Sequence, residues 1–250
     1  MQKIFPSMNS KPEKSQIVAL IPGWAWVFVL IPMFMPFLGL GLWDQIGYSV
    51  WLEIGYHAFN GIVMMAIILG YLKEEWFMVS TAFPYYLKHI ALTVVLAAGA
   101  ELLMLGILYL VGFNLGVMLD CLPIVEMAVV QSPLLVLDTQ PIWGTVVLSV
   151  FAPISICALF YCFAFAPACG KETWLGYLCI GIVTLIPAII NIIWRGETET
   201  AFVITTYLVQ LPIHLVMCWS YQKTDNVWTP LVSLAIVNML TSILMITIVL

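Results

Sequence analysis

The sequence predicts an all-α fold, a polytopic transmembrane helical bundle of about seven spans with the N-terminus inside and the C-terminus outside. Three observations lead there. Of 250 residues, 63% are hydrophobic and 8% charged, with a mean hydropathy of +1.08, whereas a water-soluble globule carries about 25% charged residues. Seven apolar stretches, 17–43, 47–72, 89–112, 141–168, 173–194, 200–221 and 226–249, reach the ~20 residues that cross ~30 Å of hydrocarbon as a helix. Placing the N-terminus in the cytoplasm puts Lys3, Lys11, Lys14, Lys73, Lys88, Lys171 and Lys223 inside and leaves only Arg195, the sole arginine, outside, which satisfies the positive-inside rule.

Residues 1–16 are the longest polar stretch and form a cytoplasmic N-terminal segment, and 17–250 form a single transmembrane domain. Between the spans there is no room for a soluble catalytic domain or a nucleic-acid module. A net charge of -5 and a pI near 5.0 imply no nucleic-acid partner, because the charges sit in short loops where local sign matters more than the sum. The run after Lys14 is too long for a signal-peptide core and lacks a small-residue cleavage site, so the first span is expected to stay in the mature chain.

After the spans 17–43 and 47–72 comes a cytoplasmic loop holding Glu74 and Glu75, expected to be solvated, with Trp76 and Phe77 anchoring it at the interface. The third span, 89–112, leads into 113–140, which Asp120, Glu126 and Asp138 interrupt and Pro123, Pro133 and Pro141 punctuate. This segment is predicted to be a long outer-side loop. If it crossed, Lys171 and Lys223 would move outside and Arg195 inside. The spans 141–168, 173–194, 200–221 and 226–249 follow, with proline and glycine sprinkled as membrane helices tolerate. Tryptophans such as Trp24, Trp43, Trp143, Trp194, Trp219 and Trp228 sit near span ends as an aromatic belt. Cys121, Cys157, Cys162, Cys169, Cys179 and Cys218 are spread as packing residues, with neither a disulfide framework nor a metal clamp. No metal and no cofactor is predicted, and the absence of an internal repeat disfavours an inverted-repeat transporter.

Ionisable groups at membrane depth are costly, and they usually face a bundle interior or a water-filled cavity. Four stand out: Glu53, His57, Glu101 and His214. Glu53 and His57 are four apart on one face of the second span, where they can share a proton or offer two metal ligands. A hydrogen bond near the interface explains them as well. Counting from Lys88, Glu101 lies about 20 Å deep; His214 lies about 13 Å deep from Lys223, and Asn238 about 18 Å from Asn226. A Glu, a His and an Asn converging at mid-membrane are the kit for activating a water and stabilising an oxyanion. Polar glue between helices is the competing explanation.

Two segments of the C-terminal third carry a family resemblance. Ala152-Pro153-Ile154-Ser155-Ile156-Cys157-Ala158-Leu159-Phe160-Tyr161-Cys162 resembles the pattern APIxEExxFRG. Trp219-Ser220-Tyr221-Gln222-Lys223-Thr224-Asp225-Asn226-Val227-Trp228-Thr229-Pro230-Leu231 resembles WxYxxTGSLWxPI. Both belong to the CPBP family, the CAAX protease-like and bacteriocin-processing intramembrane peptidases. The resemblance covers about 141–250, and it implies a helical membrane fold, a bacterial cytoplasmic membrane location and peptide hydrolysis by paired glutamates, histidines and an asparagine.

The departures fall on the reacting groups. Ile156 and Cys157 stand where the family has its glutamates, Tyr161 where it has arginine, and Leu234 where it has its last histidine. Ala188 or Asn191 falls at the second-motif histidine, His214 takes the place of a glycine, and Asn238 alone is kept. Counted from the cytoplasmic ends, Ile156 and Cys157 lie about 20 Å deep and Ala188 about 25 Å, so the former catalytic positions share a level. Isoleucine and cysteine cannot replace a carboxylate pair as a general base, and nothing flanking Cys157 would make it a thiolate. The expectation is a catalytically degenerate protein of this fold, lodged in the bilayer and binding a membrane protein or peptide. An intramembrane protease relocated to Glu101, His214 and Asn238, and a transporter subunit using Glu53, His57 and Glu101, are the alternatives.

Overall fold

Backbone amides away from water must be satisfied within their own segment, which favours helices wherever the chain is this apolar. A computed structural model describes residues 69–112, 164–195 and 200–249, together with positions 55, 59, 62, 153, 154, 157 and 161. Among the described residues there is no strand. The helices are α1 (Leu69–Thr81), α2 (Phe83–Leu110), α3 (Ala166–Lys171), α4 (Thr173–Arg195), α5 (Thr200–Thr224) and α6 (Trp228–Val249). The spans expected at 17–43 and most of 47–72 and 141–168, the loop 113–140 and the segment 1–16 lie outside the described residues.

Prolines and caps set the boundaries. Ala82 breaks the backbone between α1 and α2, and Pro84 follows in the first turn of α2, where its missing N–H costs nothing. At the far end Gly112 takes φ +96, the left-handed conformation that ends a helix and that glycine adopts without strain. The segment 73–88, expected as a loop, is helical apart from Ala82. Its charges mark an interface, but it has no glycine and no proline before Pro84, and Lys73, Glu74 and Glu75 are good helix formers.

α5 is central, packing against α2, α4 and α6. It runs antiparallel to α2: Tyr85 donates to the Lys223 carbonyl, Thr93 donates to the Ser220 hydroxyl, and Leu108 packs with Val209. α6 runs parallel to α2, with Ser233 facing the Ile90 carbonyl and Thr241 facing Glu101. α4 is tied to α5 by Tyr177 donating to Gln222 and Tyr207 donating to the Gly181 carbonyl. α3 meets α4 closely at Gly176, where an added Cβ would come within 2.8 Å of the Cys169 Cβ and 2.9 Å of the Phe165 ring. Only glycine fits there.

Apolar residues make up most of the core, Ile180, Val209, Ile213, Met217 and Leu234 among them, and polar groups are buried beside them. Thr93, Glu101, His214, Ser220, Ser233, Asn238 and Thr241 are buried, while Leu92, Val95, Leu96, Leu102, Leu103 and Ile107 of α2 are exposed. An apolar face on α2 with buried polar groups on its other side suits lipid as solvent. Among the described residues α2 is the one helix long and apolar enough to cross a membrane; its 28 residues rise about 42 Å. The ranges of α4, α5 and α6 coincide with the apolar stretches 173–194, 200–221 and 226–249 to within a few residues.

Candidate functional site

The turn between α5 and α6 shows how local sequence positions interior groups. Thr224 bonds back to the Ser220 carbonyl at 2.9 Å, and Asp225 enters the left-handed region at φ 53. Asn226 then caps α6, its Oδ1 accepting the Trp228 N–H at 2.9 Å. The neighbouring amide, Val227 N–H, donates to the Glu75 carboxylate at 2.5 Å, and the Asn226 side-chain amide donates to the Glu75 carbonyl at 2.9 Å. Pro230 has no N–H to satisfy. Glu75 is thus buried, at 1% exposure, which corrects the expectation that it belongs to a solvated loop: a carboxylate at a helix N-terminus meets both amide donors and the positive end of the dipole. Trp76, beside it, packs edge-on to Trp228 at 5.2 Å.

From that turn α6 carries Ser233, Leu234, Asn238 and Thr241 into the interior, all of them buried. Pro212 lies inside α5 and removes one helical hydrogen bond near His214. The backbone at Cys157, Tyr161, Ala164 and Phe165 takes the wider π-helical geometry just before Pro167. Cys157, Tyr161 and Phe165, spaced four apart, are all fully buried. Phe165 packs edge-on to Tyr177 at 5.3 Å and to Tyr221 at 6.0 Å, which locks this segment against α4 and α5.

The residues singled out from the sequence sort as follows. His214 is 2% exposed, and its Nδ1 shares a hydrogen bond of 2.9 Å with the Tyr161 hydroxyl. Glu101 is 6% exposed; Thr241 bears on its carboxyl from α6, and its Oε1 has no hydrogen-bond partner among the described residues. Asn238 is fully buried one turn before Thr241 on the same face of α6. From the Thr93–Ser220 bond, Glu101 rises about 12 Å along α2 and His214 about 9 Å along α5, so the two stand at a similar level. Cys157 and Leu234 are fully buried. Ala188 and Asn191 lie within α4. Ile156, Glu53 and His57 fall outside the described residues.

Sequence reasoning missed the pairing of Tyr161 with His214. Its signal was present in the residue types: a hydroxyl donor and acceptor at Tyr161 and an imidazole at His214, both in apolar stretches, can make a bonded pair. It also missed Thr241 as the neighbour of Glu101 and Thr93 as the partner of Ser220. Among the described residues no three His, Cys, Asp or Glu side chains gather to hold a metal ion. Cys157, Cys169, Cys179 and Cys218 are unbridged.

Chemically, hydrolysis requires a base aimed at a water and donors aimed at the developing oxyanion. Here one nitrogen of the interior imidazole is engaged by a tyrosine, and Cys157 and Leu234, a thiol and an alkyl group, are buried. No protein-family model, curated protein or solved structure matches the chain.

Proposed function

We propose that the chain is a seven-helix, multi-pass protein of the cell membrane with the CPBP fold, which has lost peptidase chemistry and holds a membrane protein or peptide partner. The observation that carries this is the Tyr161–His214 hydrogen bond of 2.9 Å, buried on both sides. It occupies the place of a motif arginine with a mutually satisfied pair. Cys157 and Leu234, at further motif positions, are out of solvent and cannot supply a base.

The resemblance itself draws support from the α5–α6 turn. Asp225 is left-handed where the family pattern has glycine, the residue most at ease there. Asn226 caps α6 where the pattern has serine, another N-capping side chain. The apolar exterior of α2 supports placement in a bilayer.

The test is proteolysis by detergent-purified full-length protein against lipidated and unlipidated membrane peptides, with and without chelator. No cleavage is expected in any arm. A second reading, a peptidase rebuilt around Glu101, His214 and Asn238, is favoured by the unsatisfied Glu101 Oε1 at the level of His214. It requires cleavage that Glu101→Gln abolishes and Cys157→Ala leaves intact.

A further inference from the structure

Lys88 stands in the second turn of α2 and Lys223 in the last turn of α5, and both are exposed. The helices are tied together at this end. The Tyr85 hydroxyl donates to the Lys223 carbonyl at 3.3 Å, and Thr93 donates to Ser220 at 2.7 Å. Tyr85, His89 and Thr93, four apart, therefore run along the α2–α5 seam. His89 sits between the two tie points, its ring 4.5 Å from that of Tyr85.

The charges of Lys88 and Lys223 both bear on the His89 ring. Nδ1 of that ring is enclosed and has no hydrogen-bond partner among the described residues. With its proton on Nε2, the neutral ring offers one N–H donor from that side. Neither lysine has an ion-pair partner among the described residues. Of the acids of the turn, Glu75 accepts the Val227 N–H, and the charge of Asp225 acts on Tyr86. Two exposed ammonium groups therefore act on one imidazole at the seam, an arrangement that favours a ligand carrying several acceptor oxygens and negative charge.

We infer that Lys88, Lys223 and His89 form a binding site for a phosphate group at the α2–α5 seam. The lysines supply charge and His89 Nε2–H supplies an oriented donor. Exposed Trp76, Phe77 and Tyr85 at the same end mark the level of lipid headgroups, where basic clusters between helices hold anionic ones. A free phosphate shares the chemistry. The site is about 13 Å along α5 from His214 and stands independently of whether the interior holds a partner.

Full-length protein in detergent is titrated with phosphatidylglycerol, phosphatidylcholine and inorganic phosphate, and bound adducts are counted by native mass spectrometry. Phosphatidylglycerol or phosphate is expected to bind above phosphatidylcholine. Lys88→Gln and Lys223→Gln should each weaken that binding about fivefold, while Lys88→Arg keeps it. Lys73→Gln, an exposed lysine outside the seam, should leave it unchanged. Since both lysines are exposed, these variants keep the packing, and a thermal melt verifies it. Binding of the lipid alone assigns the site to a headgroup, and equal binding of inorganic phosphate assigns it to the free ion. Binding that survives Lys88→Gln with Lys223→Gln, or that falls equally in Lys73→Gln, overturns the site.

Discussion

At the scale of single residues, the buried carboxylate of Glu75 makes the sharpest claim. It accepts the Val227 N–H at 2.5 Å at the start of α6, so Glu75→Ala leaves that amide buried and unpaired. The expected loss of stability is about 2 kcal/mol, and Glu75→Gln, which keeps an acceptor but not the charge, should lose about 1 kcal/mol. Denaturant unfolding in mixed micelles measures both. Equal stability of Glu75→Ala and the parent would mean that the cap is idle. The sequence placed Glu74 and Glu75 together in water because a pair of adjacent acids beside Lys73 reads as a solvated patch. Adjacent positions on a helix point about 100° apart, and which of them meets another helix is a long-range fact. Glu101, His214 and Asn238 were legible as interior groups, since burial of a polar residue in an apolar span follows from lipid as solvent. Their partners, Tyr161 and Thr241, were not.

At the scale of elements, apolar length fixed α4, α5 and α6 well, and Pro84 and Pro230 sit in first turns as their missing N–H allows. The stretch 73–88 did not yield to the same logic, because charge density reports depth and says nothing about whether the backbone is helical. How helices associate is settled by a few polar contacts. The Thr93–Ser220 bond of 2.7 Å is buried between α2 and α5, and with lipid around the bundle apolar burial would give these helices no preference for each other. A double-mutant cycle with Thr93→Val and Ser220→Ala is expected to give a coupling of about 0.6 kcal/mol in favour of the pair. Strictly additive losses would show that the hydroxyls act separately and that packing alone joins these two helices.

For the whole molecule, composition told more than any motif. The exposed leucines, Val95 and Ile107 of α2, with Thr93 and Glu101 buried on its other face, are what a hydrocarbon surround favours. The helix ends add a direction. Lys73 lies in α1, Lys88 near the start of α2, Lys171 at the α3–α4 junction and Lys223 at the end of α5, and the ties from Tyr85 to Lys223 and from Tyr177 to Gln222 bring these ends together. If α2 crosses a bilayer, the positive-inside rule puts this lysine-bearing end on the cytoplasmic side. Single cysteines in a cysteine-free background test the arrangement: Ser80→Cys at the lysine end and Val111→Cys at the other, both exposed positions, probed with a membrane-impermeant thiol reagent on intact cells and on inverted vesicles. Val111→Cys should react in intact cells and Ser80→Cys only in inverted vesicles. Reaction of both from one side would mean that α2 does not cross. The exposed apolar face of α2 would then have to be covered by protein.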